Sequence, residues 1–90
     1  QRAYEIGLVN RVFPADQLME EARKFAQKLA GMPSHAVKMA KTAINTGYDL
    51  SLDNALVVET QCFAQCWSHP DLEEGVSAFI EKRKANFHKD

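Results

Sequence analysis

The sequence predicts an all-α fragment of about four amphipathic helices and one short extended segment. Three observations carry this. Apolar residues recur at spacings of three and four in four separate stretches. Cap and break residues (Asp16, Gly31 with Pro33, Ser34, Ser51, Pro70 and Asp71) punctuate those stretches. A single strand-like run, Leu8 to Phe13, finds no second one to pair with.

Taken in order, Gln1 to Ile6 reads as the end of a helix, and Gly7 suits the left-handed position beyond it. Leu8-Val9-Asn10-Arg11-Val12-Phe13 reads as extended, closed by Pro14, and its unpaired backbone edge calls for cover from elsewhere. Asp16 is the expected N-cap of the first long helix. Leu18, Ala22, Phe25 and Leu29 form its stripe, widened by Met19, Ala26 and Ala30. Glu20 and Glu21 early, with Lys24 and Lys28 late, suit the helix dipole. Gly31 and Pro33 end it.

Ser34 is the expected cap of the second helix. Its face is built from the small residues Ala36, Ala40, Ala43 and Gly47, with Val37, Ile44 and Tyr48 beside them, so another backbone can come close. Ser51, helped by Asp53, caps the third. There Leu52, Ala55, Leu56, Cys62, Phe63, Cys66 and Trp67 make a broad face that Val57, Val58 and Ala64 extend around the cylinder. A helix of that kind is normally enclosed on more than one side, and ninety residues offer few neighbours. His69-Pro70 breaks it. Asp71 and Glu74 then have the spacing of a capping box. Leu72, Val76, Phe79 and Ile80 form the stripe of the fourth helix, and Gly75 within it, about 1 kcal/mol worse than alanine, points to close packing. No repeat, low-complexity linker or boundary between two domains is evident.

Bulk properties exclude several classes. A net charge of −1 gives no global electrostatic case for nucleic acid or an anionic membrane. No apolar run approaches the roughly 18 residues of a membrane span, and no stretch reads as a targeting peptide. The chain begins at Gln1, which fits a piece of something longer. Cys62 and Cys66 lie four apart on one helical face and read as reduced thiols of a reducing compartment.

Four groups could carry chemistry. Lys82, Arg83, Lys84 and Lys89 lie near Phe79 and Phe87 in sequence. Cations beside aromatic rings can hold a nucleotide; the rival reading is dipole complementation plus a solvated tail, which pattern alone favours. Cys62, Cys66 and His69 share a face but lack a fourth ligand and the usual two-residue spacing of a zinc site, so buried structural cysteines are expected instead. Glu59 lies on the apolar face of the third helix and would have to be paired or protonated, with an interface role favoured over acid–base catalysis. His35 and His88 are expected to be isolated surface residues. No phosphate loop, metalloprotease motif or nucleophile elbow is present.

Gly7-Leu8-Val9-Asn10-Arg11-Val12-Phe13-Pro14, the Ala40-Lys41 pair, and Asp71-Leu72-Glu73-Glu74-Gly75-Val76-Ser77-Ala78-Phe79 through Lys82-Arg83 occur in an order and spacing that resembles the crotonase superfamily, the enoyl-CoA hydratases and isomerases. The resemblance covers almost the whole chain and is to the family's C-terminal helical region, which builds the trimer and covers the active site of a separate core domain. It implies that residues 1–90 are that region, without catalytic residues of their own. It further implies a coenzyme A thioester as the parent's substrate, no additional cofactor, no metal, and a trimeric or hexameric homo-oligomer without nucleic-acid or membrane partners. The implied setting is the cytoplasm, or the mitochondrial matrix in a eukaryote. By the same resemblance Phe79 and Lys82 reach the coenzyme A bound mainly by a neighbouring subunit. The alternative from another class is a non-catalytic, crotonase-like helical interaction module. A compact monomer indifferent to coenzyme A would favour that alternative.

Overall fold

A computed structural model describes residues 1–87. They form five helices: α1 (Arg2–Glu5), α2 (Ala15–Ala30), α3 (Ser34–Gly47), α4 (Leu52–Trp67) and α5 (Pro70–Ile80). No strand occurs among the described residues, so the expected extended run from Leu8 stays outside any sheet. The chain divides into two compact units at Ala30 and Gly31. The sequence marks that point as a helix stop, at Gly31 and Pro33.

In the first unit Gly7 has the expected left-handed conformation, at φ +75°. Its N–H donates to Tyr4 O at 3.1 Å, and Leu8 N–H donates to Ala3 O at 2.8 Å. This paired closure satisfies carbonyls that the end of α1 would otherwise leave open. Asp16 is not the cap of α2; it is the second helical residue, where its charge still meets the positive end of the dipole. Lys24 bridges Glu20 at 2.7 Å and Glu21 at 2.8 Å, and these hydrogen bonds raise its pKa, Glu20 first. Arg11 lies 5.9 Å from the centre of the Phe25 ring, a cation on an aromatic face.

The second unit is built on an antiparallel pair, α3 and α4, joined by a short turn. The small-residue face does what its composition implies: a Cβ placed on Gly47 would lie 3.3 Å from Ala55 Cβ. Ser51 caps α4, its hydroxyl accepting from Asn54 N–H at 3.4 Å. Ser34, by contrast, is the first residue of α3 and makes no cap, with Pro33 in the preceding position.

Among the described residues only Met39, Cys62 and Ala78 are buried. The chain exposes 7762 Å². A compact chain of this length exposes roughly 5,300 Å², and two separate bodies of these sizes roughly 6,300 Å². Large apolar side chains contribute to it: Phe63 and Trp67 on α4 are 64 % and 63 % exposed, packed edge to face with ring centres 6.0 Å apart. The third predicted helix is therefore as apolar as its sequence requires and is not sheathed by its own neighbours.

Because α3 and α4 touch at Gly47, Gly47→Leu is expected to lower stability by about 1–3 kcal/mol through overpacking. Thermal unfolding followed by circular dichroism checks this, and an unchanged midpoint would refute the close approach.

Candidate functional site

The candidate site is the end of α5 and the turn beyond it. The helix starts two residues earlier than a cap at Asp71 implies. Pro70 takes the first helical position, as its missing N–H and fixed φ favour, and His69 becomes the cap. Its Nδ1 accepts from Asp71 N–H at 3.2 Å. The expected pairing of Asp71 with Glu74 does not form, since Glu74 is engaged elsewhere.

At the other end Phe79 stands in the last turn, 85 % exposed. The chain then reverses. Lys82 N–H donates to Phe79 O at 3.3 Å and Arg83 N–H to Ala78 O at 3.0 Å, closing the helix as Gly7 closes α1. Here the left-handed residue is Lys82, at φ +53°. A side chain in that conformation costs about 1 kcal/mol relative to glycine. Such strain persists only where the surroundings over-determine it.

Glu74 supplies that constraint. Its side chain is 12 % exposed. Arg83 donates to it through Nη1 at 2.7 Å and Nη2 at 3.1 Å, a bidentate clamp nine residues long. Asn86 N–H adds a third bond to the same carboxylate, at 2.8 Å. Arg83 Nε also donates to Glu81 at 2.6 Å. The bonds to Glu74, then to Glu81, raise the pKa of the guanidinium and fix it as a cation. Phe87 closes the return path: its ring would lie 3.6 Å from a Cβ on Gly75, the close approach that this glycine signals.

The basic cluster therefore divides. Arg83 is spent internally, Phe87 packs on α5, and Lys82 and Lys84 have no side-chain partner among the described residues. His88 and Lys89 lie outside the described residues. Phe79 and Lys82, three positions apart across the reversal, are an exposed ring and an uncompensated cation of the kind that a nucleotide would need.

Phe79 also borders an apolar groove of about 350 Å³ in the same unit. His35 lines it, and its placement corrects the expectation of an isolated surface residue. Its ring stacks on His69 with centres 4.4 Å apart and planes within 3°, and its Nε2 is buried without a hydrogen-bond partner. Sequence gives no signal for this pair, 34 positions apart. Cys62 is buried, Cys66 is half-buried and donates to Cys62 O at 3.5 Å, and both thiols are free. Among the described residues no His, Cys, Asp and Glu group has metal-holding geometry. Glu59 is exposed at the edge of a second groove between α3 and α4, beside Met39 and Phe63, so in this structure it is not enclosed.

Comparison with known proteins identifies the family. The family model described as enoyl-CoA hydratase/isomerase matches residues 1–90. The chain belongs to the enoyl-CoA hydratase/isomerase family. It is 40 % identical over 85 residues to a crotonyl-CoA hydratase of Syntrophomonas wolfei, covering 94 % of this chain and 33 % of that protein. It is 43 % identical over 82 residues to a short-chain-enoyl-CoA hydratase of Clostridium acetobutylicum, covering 91 % and 31 %. Its structure is similar to that of an enoyl-CoA hydratase from Bacillus anthracis, with a TM-score of 0.92 and 37 % identity, covering 100 % of this chain and 35 % of that one. An enoyl-CoA hydratase/isomerase from Mycobacterium paratuberculosis gives a TM-score of 0.90 at 32 % identity, covering 98 % and 35 %. The chain thus spans about a third of the length of these relatives.

If Lys82 holds a conformation that its backbone would cede to glycine, Lys82→Gly is expected to raise stability by up to about 1 kcal/mol. An upward shift of the denaturation midpoint checks it, and a downward shift would show that the lysine is unstrained.

Proposed function

We propose that this chain is the C-terminal helical region of an enoyl-CoA hydratase/isomerase-type enzyme and serves it as oligomerisation and coenzyme-A-covering segment. The observation that carries the reading is an 85 % exposed Phe79 followed three residues later by Lys82, which has no side-chain partner among the described residues, in a chain of this family. Phe79 packs against the nucleotide or pantetheine arm of an acyl-CoA thioester. Lys82 meets its phosphates.

The chemistry falls to a core outside these residues. Acyl-CoA is the substrate, and no further cofactor is required. Glu59, alone among small and apolar neighbours on α3 and α4, is not one of the reacting carboxylates in this reading. The exposed faces of α4, including Phe63 and Trp67, support a role in covering and joining, because single subunits rarely leave such area open. A homo-oligomer, trimer or hexamer, supplies the missing neighbours. The setting is the cytoplasm or a mitochondrial matrix, and among the described residues no helix is long and apolar enough to cross a membrane.

Two measurements test the proposal. The 90-residue chain alone is expected to leave crotonyl-CoA unhydrated; turnover above the buffer rate would overturn the assignment of catalysis elsewhere. In the full-length enzyme Lys82→Ala is expected to raise KM for the acyl-CoA three- to tenfold, roughly the loss of one exposed charge-assisted contact, with kcat nearly unchanged.

A further inference from the structure

We infer that Glu74 is a positioning residue for the ligand-facing turn: by gripping Arg83 and the Asn86 amide it holds Lys82 in its left-handed conformation, three residues after the exposed Phe79. The inference rests on the reading of Phe79 and Lys82 as coenzyme A contacts, and it adds a residue that does not itself touch the ligand.

The geometry makes the dependence specific. Glu74 lies in the first half of α5, while Lys82 lies two residues beyond its last turn. For Asn86 N–H to reach the Glu74 carboxylate, the chain must turn back through about 180° between Ile80 and Asn86 and run alongside the helix it has just left. Two hydrogen bonds back to Phe79 O and Ala78 O make that turn, and the second, from Arg83 N–H, goes with Lys82 at positive φ. A lysine does not choose this conformation unaided. The far end of the return path has to be anchored, and the anchors are the bidentate Arg83 pair, the Asn86 amide bond and Phe87 over Gly75. Three of those four contacts converge on one carboxylate.

The same carboxylate also settles which cation is offered outward. Arg83 and Lys82 are adjacent, and either could meet a phosphate. With Glu74 and Glu81 on its guanidinium, the charge of Arg83 is compensated within the chain, while Lys82 beside it has no such carboxylate. Removing the Glu74 charge leaves Arg83 held by Glu81 alone and relaxes Lys82. The preferred anion position then moves or blurs.

A double-mutant cycle in the full-length enzyme, with KM and kcat read for an acyl-CoA, tests this. Glu74→Gln keeps the shape and removes the charge; Arg83→Lys keeps the charge and removes the fork. Each is expected to raise KM about three- to tenfold with kcat nearly unchanged, and neither should add to the effect in a Lys82→Ala background. Glu74→Gln without effect while Lys82→Ala raises KM would overturn the positioning role and leave the ligand assignment standing. The same conclusion follows if the two effects multiply. Lys82→Ala without effect would overturn the ligand assignment and this inference with it. Should Glu74→Gln fail to fold, Arg83→Lys decides by the same comparison.

Discussion

Apolar stripes outnumber the faces available to receive them, and that shortage governs this chain. Every long helix carries a stripe at helical spacing, yet α3 and α4 make the one extensive helix pair. Gly47 against Ala55 brings their backbones close enough to bury Met39 and Cys62, and little else is enclosed. At about 25 cal/mol per Å² of apolar area, leaving side chains such as Phe63, Trp67 and Leu52 in water forfeits several kcal/mol. A protein whose net stability is normally about 5–15 kcal/mol has little room for that loss. The surfaces are consistent with a segment whose partners lie outside it, which is how its family membership and its one-third coverage of the relatives fit together.

Much of the fold was legible because helices announce themselves locally. The stripes of α2 to α5, the glycine closure after α1, the Ser51 cap and the small face of α3 each depend on residues within one or two turns. The caps that misled did so for equally local reasons. Pro70 fits the first helical position better than any other, so the cap passes to His69, an unusual acceptor, and Asp71 moves inside. Pro33 likewise precedes α3 directly and leaves Ser34 within the helix without a capping bond. Leu8 to Phe13 has the composition of a strand, but composition cannot supply a pairing partner, and the run remains unpaired among the described residues.

The site was legible in its parts and not in its assembly. Phe79 and Lys82 stood out through the family's closing segment, and the basic cluster drew attention by charge alone. What sequence could not divide was the cluster itself. Which of three neighbouring cations faces outward depends on a reversal at Lys82, and non-glycine residues give almost no local signal for positive φ. Glu74 illustrates the same difficulty. Three residues after Asp71 it reads as half of a capping box, a bond between a carboxylate and one amide. An arginine nine residues on offers two charge-assisted bonds, which are stronger, and the long-range partner wins. His35 and His69 could not be joined at all, because nothing in their own neighbours marks them for contact.

A glycine at position 82 would satisfy the backbone at lower cost, as Gly7 does at the end of α1. Lysine at that turn therefore makes sense only if its ammonium returns more than the conformation loses. No internal acceptor among the described residues repays it, for the nearby carboxylates Glu74 and Glu81 are taken by Arg83. In the function proposed above, the compensation comes from an anion of the bound ligand. A fixed left-handed turn is also a means of pre-organisation: it removes backbone freedom before binding, so less is lost when the anion arrives. Strain at Lys82 and exposure at Phe79 are then two halves of one arrangement, a cation and a ring held ready by a carboxylate two turns back along the helix.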